Sequence, residues 1–466
     1  MACAASPGRL RREQPALGWA GIGRRGRAAS VPAATPVPRG PTLPVLYTAA
    51  DLLTGPGCPV CRYAGESSDR YLAWFALEAH ADTMTVTRLC SSLGMCSRHT
   101  RGLIRQPGAA RRLTAVYRYL VRAARDRLSG QRGQLASCPA CEHDDGASGR
   151  ALETLLEGLA ADGPVRDRYR KLGGLCLPHL QSASARGGRQ VIAWLAQATT
   201  AAVGAGAASS GWLAGTDHDA RPRVALLQAA SRAGVPAGPD VCLACLASAR
   251  AEHDCLARMA RSDGRGEPDP RLVLCAGHLG DLIVLAGQRA AAALLTWQAA
   301  SLVAGLTGPS GRPGPSGRPG LWRAGKPGGP ADWLRPWRGR GGQGGRGGQG
   351  GCAVCLSAAA AARQAVGNLR AQLGAADPVP GRQVPLMPLC VRHLLGLAAA
   401  APPAGKMAVP AALGHANALI AELDEAFGKG TWARRDEARG QEMTAWRRAA
   451  AFLDGSVFCG RPPHET

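Results

Sequence analysis

Cys58-Pro59-Val60-Cys61 is followed, after thirty-four intervening residues, by Cys96-Ser97-Arg98-His99. The arrangement returns three times: Cys138 and Cys141 with Cys176 and His179 after thirty-four residues, Cys242 and Cys245 with Cys275 and His278 after twenty-nine, and Cys352 and Cys355 with Cys390 and His393 after thirty-four. Three thiolates and one imidazole complete the tetrahedral sphere of a divalent zinc ion. A two-residue gap lets both members of a pair reach that ion from a knuckle or a helix start. Cysteines that merely filled a core would not fall into four sets of one order. The spacing therefore predicts about four Zn2+ ions per chain, each held by one set taken in chain order.

Four protein ligands leave no open position for a reactive water, so the metal is read as structural and the chain as non-enzymatic. Competing metal chemistries fit less well. No Cys-x-x-Cys pair is followed by His, which excludes covalent haem attachment, and no strand–helix context supports a thioredoxin-like role. An iron–sulfur cluster with one His per set remains the minor alternative. Arg62, Arg98 and Arg392 are expected to balance the single negative charge that three thiolates leave on zinc. His143, His218 and His253, each next to Asp, read as surface residues, since none stands near a recognisable nucleophile. Cys90 and Cys255 fall outside the four sets. They read as small buried side chains, with redox exchange against a ligand cysteine as the alternative.

Between the ligands the pattern is helical. Leu72 and Phe75, then Leu152, Leu155 and Leu159, then Leu256 and Met259, then Val366, Leu369 and Leu373 all fall at the same offsets past their Cys-x-x-Cys pair. Steps of three and four make one stripe of an amphipathic helix. Met95, Leu175, Leu274 and Leu389 precede the third ligand of each set and are expected beneath the metal. Leu113, Val116, Leu120, Ala124 and Leu128 form a further stripe, and two closing helices are expected over Leu413 to Phe427 and Met443 to Leu453. The fold class is thus all-α: tandem zinc-tied helical units in an elongated or bundled array. Expected boundaries are a disordered basic tail over 1–50, units over 51–135, 136–215, 216–306 and 352–455, a disordered Gly/Arg/Pro linker over 307–351, and a tail over 456–466.

The formal charge of +23 is concentrated outside the units, because residues 1–57 carry +5 and residues 307–351 carry +7. With only four Lys in the chain, the Arg excess reads as compositional bias as much as selection for polyanions. Nucleic-acid binding through these Arg-rich tracts, where Trp322, Trp333 and Trp337 also stand, is the weaker partner reading; a protein partner is the stronger. No small-molecule substrate and no membrane contact are expected, since Val191 to Gly215 and Ala290 to Leu306 lack the length or apolarity of a membrane span. Without an export signal at its start, the chain is expected in the cytoplasm, where unpaired thiolates persist as ligands.

The units resemble a largely actinobacterial family of repeated Cys-Pro-x-Cys and Leu-Cys-x-x-His proteins, catalogued as a domain of unknown function. The resemblance rests on Cys58-Pro59-Val60-Cys61, Cys138-Pro139-Ala140-Cys141, Leu175-Cys176-Leu177-Pro178-His179, and the C-terminal Glu442 and Trp446. It covers about 51–455 without the linker, and the third and fourth units depart from it by lacking Pro after the first Cys. What it implies is metal and helix, with no activity attached. Two functions stand ahead of nucleic-acid binding: a helical scaffold for a protein partner, and a thiol-based redox or zinc sensor.

Overall fold

Eight helices begin at the eight Cys-x-x-Cys and Cys-x-x-His pairs, and these starts organise the chain. The structure is a computed structural model that describes residues 48–455 apart from 56, 108, 131–134, 162, 173, 205–211, 214, 216–219, 233–240, 262–273, 308–351 and 376–388. The Arg-rich tracts, the Trp322, Trp333 and Trp337 segment, His218, and the tail over 456–466 lie outside the described residues. Among the described residues there are helices and no strand, which establishes the all-α class.

The first half runs α1 (Ala49–Leu52), α2 (Pro59–Leu77), α3 (Thr83–Ser91), α4 (Ser97–Ile104), α5 (Ala109–Leu128), α6 (Pro139–Ala161), α7 (Gly163–Leu172), α8 (Leu177–Ser184) and α9 (Arg189–Gly204). The second half runs α10 (Ala220–Ser231), α11 (Leu243–Arg261), α12 (Ala276–Thr307), α13 (Ala353–Ala375), α14 (Val391–Ala400), α15 (Pro402–Lys429) and α16 (Ala445–Leu453). The basic tail ends earlier than expected, because Thr48 and Asp51 form a capping box that starts α1. Helix α6 ends at Ala161 and α7 opens with Gly163 and Pro164, where a missing N–H costs nothing.

The halves follow one plan. The pair α4 and α5 corresponds to α12, which Gly287 (φ 79°, ψ 168°) breaks into two helical stretches. The pair α8 and α9 corresponds to α14 and α15. Within each half the two helices that follow Cys-x-x-Cys pack side by side, α2 on α6 and α11 on α13. In the first half they run antiparallel. His143, near the start of α6, stacks on Tyr71 towards the end of α2, whereas Gly158, near the end of α6, lies against Ala49, just ahead of α2.

The halves then exchange contacts. Helix α5 of the first packs on α15 and α16 of the second, and α8 and α9 of the first pack on α12 of the second. Corresponding helices thus trade places, as at an isologous dimer interface. Two apolar cores result, each drawing on both halves. One joins Leu72, Phe75, Leu113, Val116 and Leu120 to Val366, Leu394, Leu419 and Trp446; the other joins Leu152, Leu155, Leu159 and Leu195 to Leu256, Leu279 and Leu295. Of the expected stripes, Leu72, Phe75, Leu152, Leu155, Leu159, Leu256, Val366 and Leu369 are buried there, Met259 is half-buried, and the side chain of Leu373 lies outside the described residues; Met95, Leu175, Leu274 and Leu389 are buried in the same cores. Of the two arrangements expected, an elongated array would confine contacts to neighbouring units; the packing of α5 on α15 belongs to a bundled one.

Candidate metal centres

The sixteen ligand residues come together in four groups of three Cys and one His, but not in chain order. Cys58 and Cys61 meet Cys176 and His179; Cys96 and His99 meet Cys138 and Cys141; Cys242 and Cys245 meet Cys390 and His393; Cys275 and His278 meet Cys352 and Cys355. In each half an outer centre encloses an inner one. The chain-order sets are therefore corrected: no centre closes within one of the stretches 51–135, 136–215, 216–306 or 352–455.

Helix length is the physical reason. Helix α2 has nineteen residues and carries the chain about 28 Å from Cys58 at 1.5 Å per residue. The following α3 has only nine, about 14 Å at most, too short to bring the chain back to Cys58, so Cys96 stays beside the far half of α2, where Gly102 of α4 lies against Leu72. The antiparallel α6 begins at that end, and its Cys138 and Cys141 are the ligands within reach. Helix α6, with twenty-three residues against ten in α7, repeats the mismatch and delivers Cys176 to Cys58.

Each centre is the meeting point of two helix starts. The residue four positions on donates its backbone N–H to the carbonyl of Cys58, Cys96, Cys138, Cys176, Cys242, Cys275, Cys352 and Cys390 alike, at 2.8–3.1 Å. The first member of every pair thus sits at the cap, and the second one turn inside. Two positive helix ends point at each group of thiolates and stabilise their negative charge. The arginines expected to do this are engaged with neighbours: Arg62 donates to the Leu52 carbonyl, Arg98 pairs with Asp144 at 3.7 Å, and Arg392 pairs with Asp454 at 3.5 Å.

Every ligand histidine presents Nδ1 to its centre. The Sγ–Nδ1 separations are 3.2–3.6 Å and the closest Sγ–Sγ separations 3.5–3.9 Å. Such a group calls for a cation. Burial works to discharge His179, yet the thiolates of Cys58 and Cys61 outweigh it and hold the imidazole up to about 10. For His99, Asp144, Cys138 and Cys96 together overcome burial and raise it to about 11.

Four supporting residues have no sequence-level counterpart in the ligand pattern. Asp144 accepts from His99 Nε2 at 2.9 Å, and Glu252 lies 3.9 Å from His278 Nε2, so both inner centres have a carboxylate behind the histidine. A Cβ added to Gly215 would sit 2.9 Å from Cys61 Sγ, and one added to Gly455 would sit 2.4 Å from Cys242 Cβ, so both outer centres are covered by a glycine. Asp144 stands one turn past Cys141 on α6, a spacing that marks the same helix face; the glycines have no such signal. His143 is half-buried rather than fully solvent-facing: it hydrogen-bonds Ser67 at 2.9 Å and stacks on Tyr71. Cys90 is half-buried, and Cys255 is buried, on the face of α11 one turn beyond Glu252.

No family model matches the chain, and neither a curated protein nor a solved structure matches it. Among the described residues no helix is long and apolar enough to cross a membrane.

Proposed function

We propose that the chain is a zinc-tied helical scaffold that presents its surface to a protein partner and turns over no substrate. The carrying observation is the donor set. For Zn–S near 2.3 Å and Zn–N near 2.0–2.1 Å, a tetrahedron has S···S edges of about 3.8 Å and S···N edges of about 3.6 Å. The four groups, at 3.5–3.9 Å and 3.2–3.6 Å, suit such an ion, and three thiolates favour zinc over harder cations. Four donors fill each sphere, so the metal would hold helix starts together and polarise no substrate.

Support for a protein partner comes from the turn between α2 and α3. On either side of it Leu77 is 57 % and Met84 71 % exposed, with Trp74 at 39 %, and exposed apolar surface favours protein contacts. A thiol-ligated zinc protein of this sort suits the reducing cytoplasm. The test is affinity capture from the native host with the zinc-loaded chain and with a Leu77→Asp, Met84→Asp variant. A partner lost with the variant, while four zinc ions per chain stay bound, is the expected result. Fewer than four metal equivalents, or a partner indifferent to both substitutions and metal, would overturn the reading.

A further inference from the structure

The four centres differ most in how far their cysteines are exposed. At Cys242, Cys245 and Cys390 all three residues are buried, and at each centre of the first half two of three are buried. At the inner centre of the second half none is: Cys275 and Cys352 are intermediate and Cys355 is exposed. Sulfur–sulfur distance does not separate the centres, since Cys275 and Cys355 at 3.8 Å lie within the range of the others. Access does. A zinc thiolate keeps much of its nucleophilicity where an electrophile can reach it, and loses it where packing shuts the electrophile out.

We propose that the centre of Cys275, His278, Cys352 and Cys355 is an oxidation site for hydroperoxides, at which Cys355 reacts first and closes a disulfide with Cys275, releasing this centre's metal alone. This rests on the zinc reading above. In the first step the Cys355 thiolate attacks the terminal peroxide oxygen; the S–O bond forms as the O–O bond breaks, and the departing oxygen takes a proton from water. In the second, the Cys275 thiolate attacks the sulfenic sulfur of Cys355; the S–S bond forms as the S–O bond breaks, and hydroxide leaves and is protonated. The two sulfurs give up two electrons and the hydroperoxide accepts two. Closure needs the sulfurs to move from 3.8 Å to about 2.05 Å.

The consequence follows from where these sulfurs sit. Cys275 precedes α12 and Cys355 lies one turn into α13, so the disulfide ties the same two helix starts that the metal tied. Cys352 and His278 remain, two donors where zinc needs four. The ion leaves while the helices stay joined, and reduction in the presence of zinc restores the centre.

The test uses the full zinc-loaded chain. Zinc is first counted by elemental analysis; the chain is then treated with one equivalent of hydrogen peroxide, released zinc is read with a chromogenic chelator, and disulfides are mapped by non-reducing mass spectrometry. Expected are four zinc ions before treatment, one released, a Cys275–Cys355 disulfide, and recovery on adding reductant and zinc. A Cys355→Ser variant should lose that release. Four zinc ions beforehand with no selective release, or with the disulfide at another centre or at Cys255, would overturn the proposal while leaving the zinc reading intact. Absence of zinc in the untreated chain would overturn both. Mapping on the unsubstituted chain decides even where Cys355→Ser fails to fold.

Discussion

Cys58 Sγ lies 3.4 Å from His179 Nδ1, although the two residues are 121 positions apart along the chain. The contact encloses the second centre, of Cys96, His99, Cys138 and Cys141, so the outer metal closes a loop that contains the inner one. Removing the outer ion should release more chain than removing the inner, since the entropy of loop closure grows with the length enclosed, slowly but with one sign.

The carboxylate behind each inner histidine sets a difference in metal affinity. Asp144→Ala removes the acceptor of the His99 Nε2–H and should weaken metal at that centre about 10- to 100-fold. Competition with a graded series of chelators is the measurement, with one zinc of four becoming labile. Asp144→Asn, whose amide oxygen can still accept, should retain most of the affinity.

Glycine covers the outer centres because nothing larger fits. Gly215 has φ +83° and stands 2.9 Å, measured from an added Cβ, from Cys61 Sγ. Gly215→Ala should therefore cost about 2–4 kcal/mol, combining backbone strain with overpacking. Gly287 has φ +79° but open space around it, so Gly287→Ala should cost about 1–3 kcal/mol, from strain alone. Thermal melting of the two variants measures the difference.

Asp281, at 0 % exposure, pairs with the half-buried guanidinium of Arg223 at 2.7 Å. Arg223→Ala should cost about 3–5 kcal/mol because a carboxylate stays buried without this guanidinium, whereas replacing both by apolar residues should cost much less. Denaturant unfolding of the single and double variants checks this.

Burial pushes the Cys90 thiol up to about 11. At pH 8 iodoacetamide should modify it on the order of a hundred-fold more slowly than an ordinary cysteine, and the rate should rise about tenfold per pH unit below 11. A rate at pH 8 equal to that of free cysteine would contradict its half-burial.

The helices were legible because their cause is local. The stripe of Leu152, Leu155 and Leu159 has one period and one face, and all three are buried as that period requires. The ligand residues were legible for the same reason, since a Cys-x-x-Cys or Cys-x-x-His pair is complete within one helical turn. Which pair joins which was not legible. That depends on α2 outrunning α3 and on α6 lying antiparallel beside it, both long-range facts, and chain order is a poor guide when a helix carries its own start and end so far apart. The exchange of α5 and α9 between halves was hidden for a similar reason: an amphipathic stripe states that a face is buried and not what buries it. The role of Asp144 was hidden because an Asp beside His143 looks like part of a solvent-facing turn until α6 brings it to His99.

Nested pairing is most directly tested by alkylation of a Cys176→Ser variant of the full zinc-loaded chain, with labelled cysteines identified by mass spectrometry. Cys58 and Cys61 should become reactive while Cys138 and Cys141 stay protected, since Cys176 shares its centre with the first pair. Labelling of Cys138 and Cys141 with Cys58 and Cys61 still protected would contradict the nested arrangement and restore ligand sets in chain order.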